Sequence, residues 1–199
     1  MNLRITFALI LLFLLPGALS AQSDWRSGYV VTLSGDTLHG MVRDRDTGPF
    51  GGLYNKVRLK KSERGKARFG PSKMLGYQWG DAKFIVLRTN TYPNVRASKK
   101  RIDPTGTPSV FRVVVEGPLS LYMDEFNDED GSWINEVPYF KKVGDEQLVR
   151  ATQGIFGLKK KLLSKYFADQ PDLVQKIQAG AVKTPLEVVT EYGLSANPN

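Results

Sequence analysis

Between Lys56 and Lys73 the chain places Lys56, Arg58, Lys60, Lys61, Arg64, Lys66, Arg68 and Lys73 against one acid, Glu63. If Lys56 to Lys60 is a strand, its basic residues alternate with Val57 and Leu59, so one face is cationic and the other is buried. A hairpin turning at Ser62 to Gly65 brings two basic arms together. Such a face concentrates anions, and Lys56, Arg58, Lys60, Lys61, Arg64, Lys66 and Arg68 are the candidate anion-binding residues. A charged sheet edge that only resists aggregation is the competing reading.

Catalytic chemistry has less to draw on. His39 is the only histidine and there is no cysteine. A serine triad would need His39 as its base, yet no serine sits in a glycine-flanked nucleophile turn. Thiol nucleophiles are absent, and one histidine is a poor start for a zinc site. The acidic run Asp124-Glu125-Phe126-Asn127-Asp128-Glu129-Asp130-Gly131 invites a calcium test. Aligning Gly131 with the glycine of an EF-hand loop puts Asp128 and Asp130 at ligand positions, but Phe126 falls at the first and Val137 at the last. Both ends fail, and the run reads as a solvated turn. Glycoside hydrolysis needs two suitably spaced carboxylates; Glu116, Asp124, Glu125 and Glu136 could supply them, but sequence sets no distance between them. No catalytic residue, cofactor or metal ligand set is expected.

The elements that would position these residues are mostly strands. Gly28 to Leu33 and Asp36 to Val42 flank the turn Ser34-Gly35. Leu53 to Leu59, Ala67 to Phe69, Lys73 to Trp79 and Lys83 to Arg88 follow, with Leu75, Tyr77 and Trp79 expected on one core face. Thr89 to Pro108 reads as one long loop carrying Lys99-Lys100-Arg101. Val110 to Glu116 and Leu119 to Met123 flank Gly117-Pro118, and Trp133 to Val143 and Glu146 to Val149 end the β-rich part.

From Ile155 to Phe167 apolar residues recur at helical spacing, with Lys159-Lys160-Lys161 on the polar side. Pro171 opens a second helix that Gly180 ends. Thr184-Pro185-Leu186-Glu187 is a capping box for a third. The expected fold is α+β: a mostly antiparallel sheet or partly closed barrel over 22–152, then about three short helices over 153–194 packed on it. A disordered tail is expected over 195–199.

The first 21 residues read as a signal peptide: Arg4, the apolar run Ile5 to Leu15, the break Pro16-Gly17, and Ala18-Leu19-Ser20-Ala21. The run is about half of what a membrane span needs, so cleavage after Ser20 or Ala21 is expected, leaving no stable membrane span. Export to a periplasmic or extracellular location gives the missing cysteines meaning. That compartment permits disulfides, yet this chain uses none, and no lipidated cysteine is available as an anchor. The formal charge of +8 becomes +7 once Arg4 is removed. In such a compartment this balance points to envelope anions rather than nucleic acid.

Gly28-Tyr-Val-Val-Thr-Leu-Ser-Gly-Asp-Thr-Leu-His-Gly40 and the segment from Phe156 to Ile177 (Phe-Gly-Leu-Lys-Lys-Lys-Leu-Leu-Ser-Lys-Tyr-Phe-Ala-Asp-Gln-Pro-Asp-Leu-Val-Gln-Lys-Ile) together resemble uncharacterised exported envelope proteins typical of Bacteroidota. The resemblance implies an envelope protein and carries no catalytic residues with it. The expected function is a non-catalytic interaction module binding an anionic polymer or a partner protein. A carboxylate-dependent hydrolase and a structural subunit of an envelope assembly are the alternatives.

Overall fold

The computed structural model describes residues 24–45, 56–61, 65–90, 98–127 and 134–196. The expected signal peptide and the tip of the basic hairpin lie outside them. Among the described residues, eleven antiparallel strands precede three short helices.

Six of the strands close a barrel. β6 (Ala82–Asn90) pairs with β7 (Lys99–Ile102), then follow β11 (Gln147–Arg150), β10 (Ile134–Lys142), β9 (Leu119–Asn127) and β8 (Thr107–Val115). β8 returns to β6 through seven register pairs, from Lys83↔Val113 to Thr89↔Thr107. Closure leaves these strands no free edge over the paired lengths. Five more strands extend from the other part of β6: β5 (Met74–Trp79), β1 (Trp25–Thr32), β2 (Thr37–Arg43), β3 (Val57–Lys60) and β4 (Lys66–Phe69).

Side-chain alternation sorts the apolar residues of this sheet into separate cores. On β6, Ile85 and Leu87 pack with Phe111, Tyr122, Tyr139 and Leu148 inside the barrel. Their neighbours Phe84 and Val86 point the other way, to a core made with Val30, Val42, Leu59 and Tyr77 of the small sheet. The helices use the outer barrel face. Leu121, Phe140 and Val149 each neighbour an inward residue, and they pack against Leu163, Phe167, Ile177 and Val188.

α1 (Lys160–Tyr166), α2 (Pro171–Ala179) and α3 (Pro185–Ala196) are held by local chemistry as well as burial. Pro171 starts α2, where its missing N–H has no helical partner to lose. Before α3, Thr184 Oγ1 accepts from the Glu187 N–H at 3.2 Å, and Glu187 accepts from the Lys183 and Thr184 N–H groups at 2.7 and 3.3 Å. This is the expected capping box. No helix among the described residues is long and apolar enough to cross a membrane.

Four expectations need correction. The helix expected from Ile155 to Phe167 begins only at Lys160, because Gly154–Phe156 forms a separate 3-10 turn that Gly157, at φ 75°, breaks off. The stretch from Thr89 to Pro108 is not one loop: β6 runs on to Asn90, β8 begins at Thr107, and Lys99–Ile102 forms β7 between β6 and β11. Leu75 does not share the core face of Tyr77. The register passes from Val31↔Gly76 to Thr32↔Met74, leaving Leu75 as an extra residue on β5. This bulge reverses the alternation, so Met74 and Tyr77 are buried while Leu75 is 47% exposed. Finally, Asp124 and Glu125 belong to β9 rather than to a solvated turn, because each meets a cation from another strand or its flank. Asp128 to Gly131 lie outside the described residues.

The β1–β5 pairing depends on a close backbone approach. A Cβ placed on Gly28 would stand 2.0 Å from the Gln78 carbonyl oxygen, well inside contact distance. Gly28→Ala should therefore destabilise the protein by roughly 3 kcal/mol, the upper end for overpacking. Denaturant midpoints measure this, and a loss below about 1 kcal/mol would show that β5 shifts freely.

Candidate anion-binding surface

The basic stretch folds as the hairpin β3–β4 at the outer edge of the small sheet. Its register pairs are Val57↔Phe69, Arg58↔Arg68, Leu59↔Ala67 and Lys60↔Lys66. Val57 and Leu59 are fully buried, and Phe69 packs against the same core. The remaining residues therefore form the opposite face, where Arg58 faces Arg68 and Lys60 faces Lys66. Directly opposed side chains in an antiparallel pair have Cβ atoms about 5 Å apart, and like charges there are destabilising.

The cationic face continues onto β2, since Arg43 pairs with Arg58 and Met41 with Lys60. Arg43 is already engaged, with Asp24 at 3.1 Å. Arg58, Lys60, Lys66 and Arg68 form no ion pair among the described residues. Lys56 and Lys61 are exposed at the two ends of β3, and Lys61 N–H donates to the Gly65 carbonyl at 3.1 Å across the hairpin. Arg64 lies outside the described residues. The structure thus brings together four of the seven expected anion-binding residues on one face, with two more flanking them.

Several cations elsewhere are paired with acids. Lys83 meets Glu116 at 2.6 Å, Lys142 meets Asp169 at 2.5 Å and Lys176 meets Glu191 at 2.6 Å. Arg112 bridges two strands at once, donating from Nε to Glu125 at 2.6 Å and from Nη2 to Glu136 at 2.7 Å. Glu125 also receives Arg45 at 3.2 Å, and Arg45 Nε donates to Tyr77 Oη at 3.0 Å. The Tyr77 hydroxyl in turn donates to Asp44. This network ties the end of β2 to the outer wall of the barrel. Burial, the largest effect, pushes the Tyr77 phenol well above its ordinary range.

The four carboxylates considered for hydrolysis are all held this way. Glu116 pairs with Lys83, Glu125 and Glu136 share Arg112, and Asp124 binds Lys100 inside the barrel. They serve as partners of cations. Among the described residues no three His, Asp or Glu side chains converge as metal ligands. His39 is exposed on β2, and its ring meets Tyr29 edge-on at 5.8 Å.

Sequence reasoning missed the interior pair. Lys100 lies over the rings of Phe111 and Tyr139 at 5.4 and 5.2 Å while it bonds Asp124. Burial, with the Asp124 charge as a smaller contribution, pushes the Tyr139 phenol up to about 12. The available signal was the two-residue spacing of Lys100 and Ile102, which share one strand face. Compared with protein-family models, curated proteins and solved structures, the chain matches none.

Proposed function

We propose that the protein is an exported, non-catalytic binding module of the bacterial cell envelope that holds anionic polymers on the β3–β4 face. The observation that carries this reading is the two like-charged register pairs, Arg58 opposite Arg68 and Lys60 opposite Lys66, with no acid among them. Solubility alone is served by interspersed charges of both signs. Edge protection is served by one charged strand. Two charged strands in register cost stability, and a bound polyanion relieves that cost. The N-terminal signal features and the resemblance to exported envelope proteins support the location. Sequencing the mature N-terminus should find Gln22 or Ala21 first, and an intact Met1 would refute export.

Immobilised polyphosphate tests the surface. The wild-type protein should be retained at low ionic strength and released as salt screens the contacts. Substituting Arg58→Gln, Lys60→Gln, Lys66→Gln and Arg68→Gln together should weaken retention at least about tenfold while leaving the melting temperature equal or higher. Unchanged retention would remove the proposed surface.

A further inference from the structure

A second group of cations surrounds an open cavity of about 550 Å³ beside the helices. Lys159, Lys160, Lys161 and Lys165 all line it, and among the described residues no carboxylate does. Lys161 and Lys165 lie four residues apart on α1, where like charges repel. Lys159 donates to Ser98 Oγ at 3.0 Å, and Lys160 to the Gln178 carbonyl at 3.0 Å. Lys159 is held below the ordinary lysine range, first by burial and then by the nearby charge of Arg150.

The same cavity has an apolar wall. Phe156, 77% exposed, and half-buried Leu162 both face it, above buried Leu158. The ring is held out by a defined turn: Gln153 N–H donates to the Gly157 carbonyl at 2.9 Å, and Gly157 N–H to the Gly154 carbonyl at 3.3 Å. Gly154 and Gly157 have φ of 71° and 75°, a conformation other residues seldom take. An exposed aromatic residue thus lines the same cavity as four lysines.

We propose that this cavity binds the head of one anionic amphiphile, with lysine ammoniums on its phosphate and Phe156 and Leu162 on the first carbons of its chain. The volume lies within the range of small-molecule sites, and an anion offsets the mutual repulsion of the lysines. A polymer phosphate would leave the apolar wall unused, which separates this site from the flat β3–β4 face. The proposal does not rest on the polymer-binding reading.

Calorimetric titration with dodecyl phosphate below its micelle concentration tests it, beside inorganic phosphate and neutral dodecyl maltoside. One site should bind dodecyl phosphate at least about tenfold more tightly than inorganic phosphate, with no heat from the neutral detergent. The double substitution Lys161→Gln, Lys165→Gln should weaken dodecyl phosphate about tenfold, and Phe156→Ser should weaken dodecyl phosphate but not inorganic phosphate. The fourfold β3–β4 variant should bind as wild type does. Equal affinity for inorganic phosphate or for the neutral detergent overturns the proposal, as does an unaffected lysine variant or loss in the β3–β4 variant. If the lysine variant fails to fold, amide shifts of the wild-type protein decide: changes centred on 153–165 support the site, and changes centred elsewhere overturn it.

Discussion

Asp124→Ala should destabilise the protein by about 3–5 kcal/mol, because it strands a buried ammonium. The side chains of Lys100 and Asp124 are only 13% and 18% exposed, and each is the other's charged partner. Lys100 would then lie between Phe111 and Tyr139 with no counter-ion. Desolvation without compensation is the reason removing one member of such a pair costs more than the pair contributes. For a domain of this size the loss corresponds to a fall of roughly 6–20 °C in melting temperature. The double substitution Lys100→Met, Asp124→Leu should recover most of it, since both charges leave together. Guanidinium titrations of the three proteins at constant slope measure the effect. A loss below about 1 kcal/mol for Asp124→Ala would mean that water reaches the pair and the barrel end is open.

Phe167→Ala should be comparably severe, about 3–5 kcal/mol for a fully buried phenylalanine. Phe167 sits where α1 ends and joins three aromatic neighbours, with ring centroids 5.7 Å from Phe140, 4.9 Å from Tyr166 and 5.7 Å from Tyr192. Phe140 belongs to β10 and Tyr192 to α3, so the ring fills the joint between barrel and helices. Phe167→Leu keeps most of the volume and should cost less than about 1.5 kcal/mol. Equilibrium unfolding separates the two cases. Equal losses for alanine and leucine would show that the aromatic contacts matter more than the filled space.

What could be read from residues alone was the local chemistry. The capping box at Thr184 and Glu187 needs four residues, and the alternation of Val57 and Leu59 with Lys56, Arg58 and Lys60 needs five. Both were legible because each signal lies inside its own element. The antiparallel architecture followed from such local signals, as did the helical unit at the C-terminus. The basic face followed too, since the turn between its arms is short.

Three of the failures share a cause. β7 is four residues long and mostly charged, so the spacing of Lys100 and Ile102 is the one weak signal within Lys99–Ile102 that it is a strand. Its reason for being one is Leu148, which pairs with Lys100 from far along the chain. The exposure of Leu75 follows from a register shift against β1, a property of two strands together. Asp124 and Glu125 read as solvated because their cations, Lys100, Arg45 and Arg112, lie on other parts of the chain. Pairing across long separations determines all three outcomes, and composition within a window does not record it.

The two faces of β6 carry a consequence for cooperativity. Phe84 and Val86 serve one core while Ile85 and Leu87 serve the other, so neither can melt while the other keeps this strand ordered. Native-state hydrogen exchange should therefore give the amides from Phe84 to Leu87 the largest opening free energy in the chain, equal to that of global unfolding. The strand is a party wall, and its slowest amides time the life of both rooms.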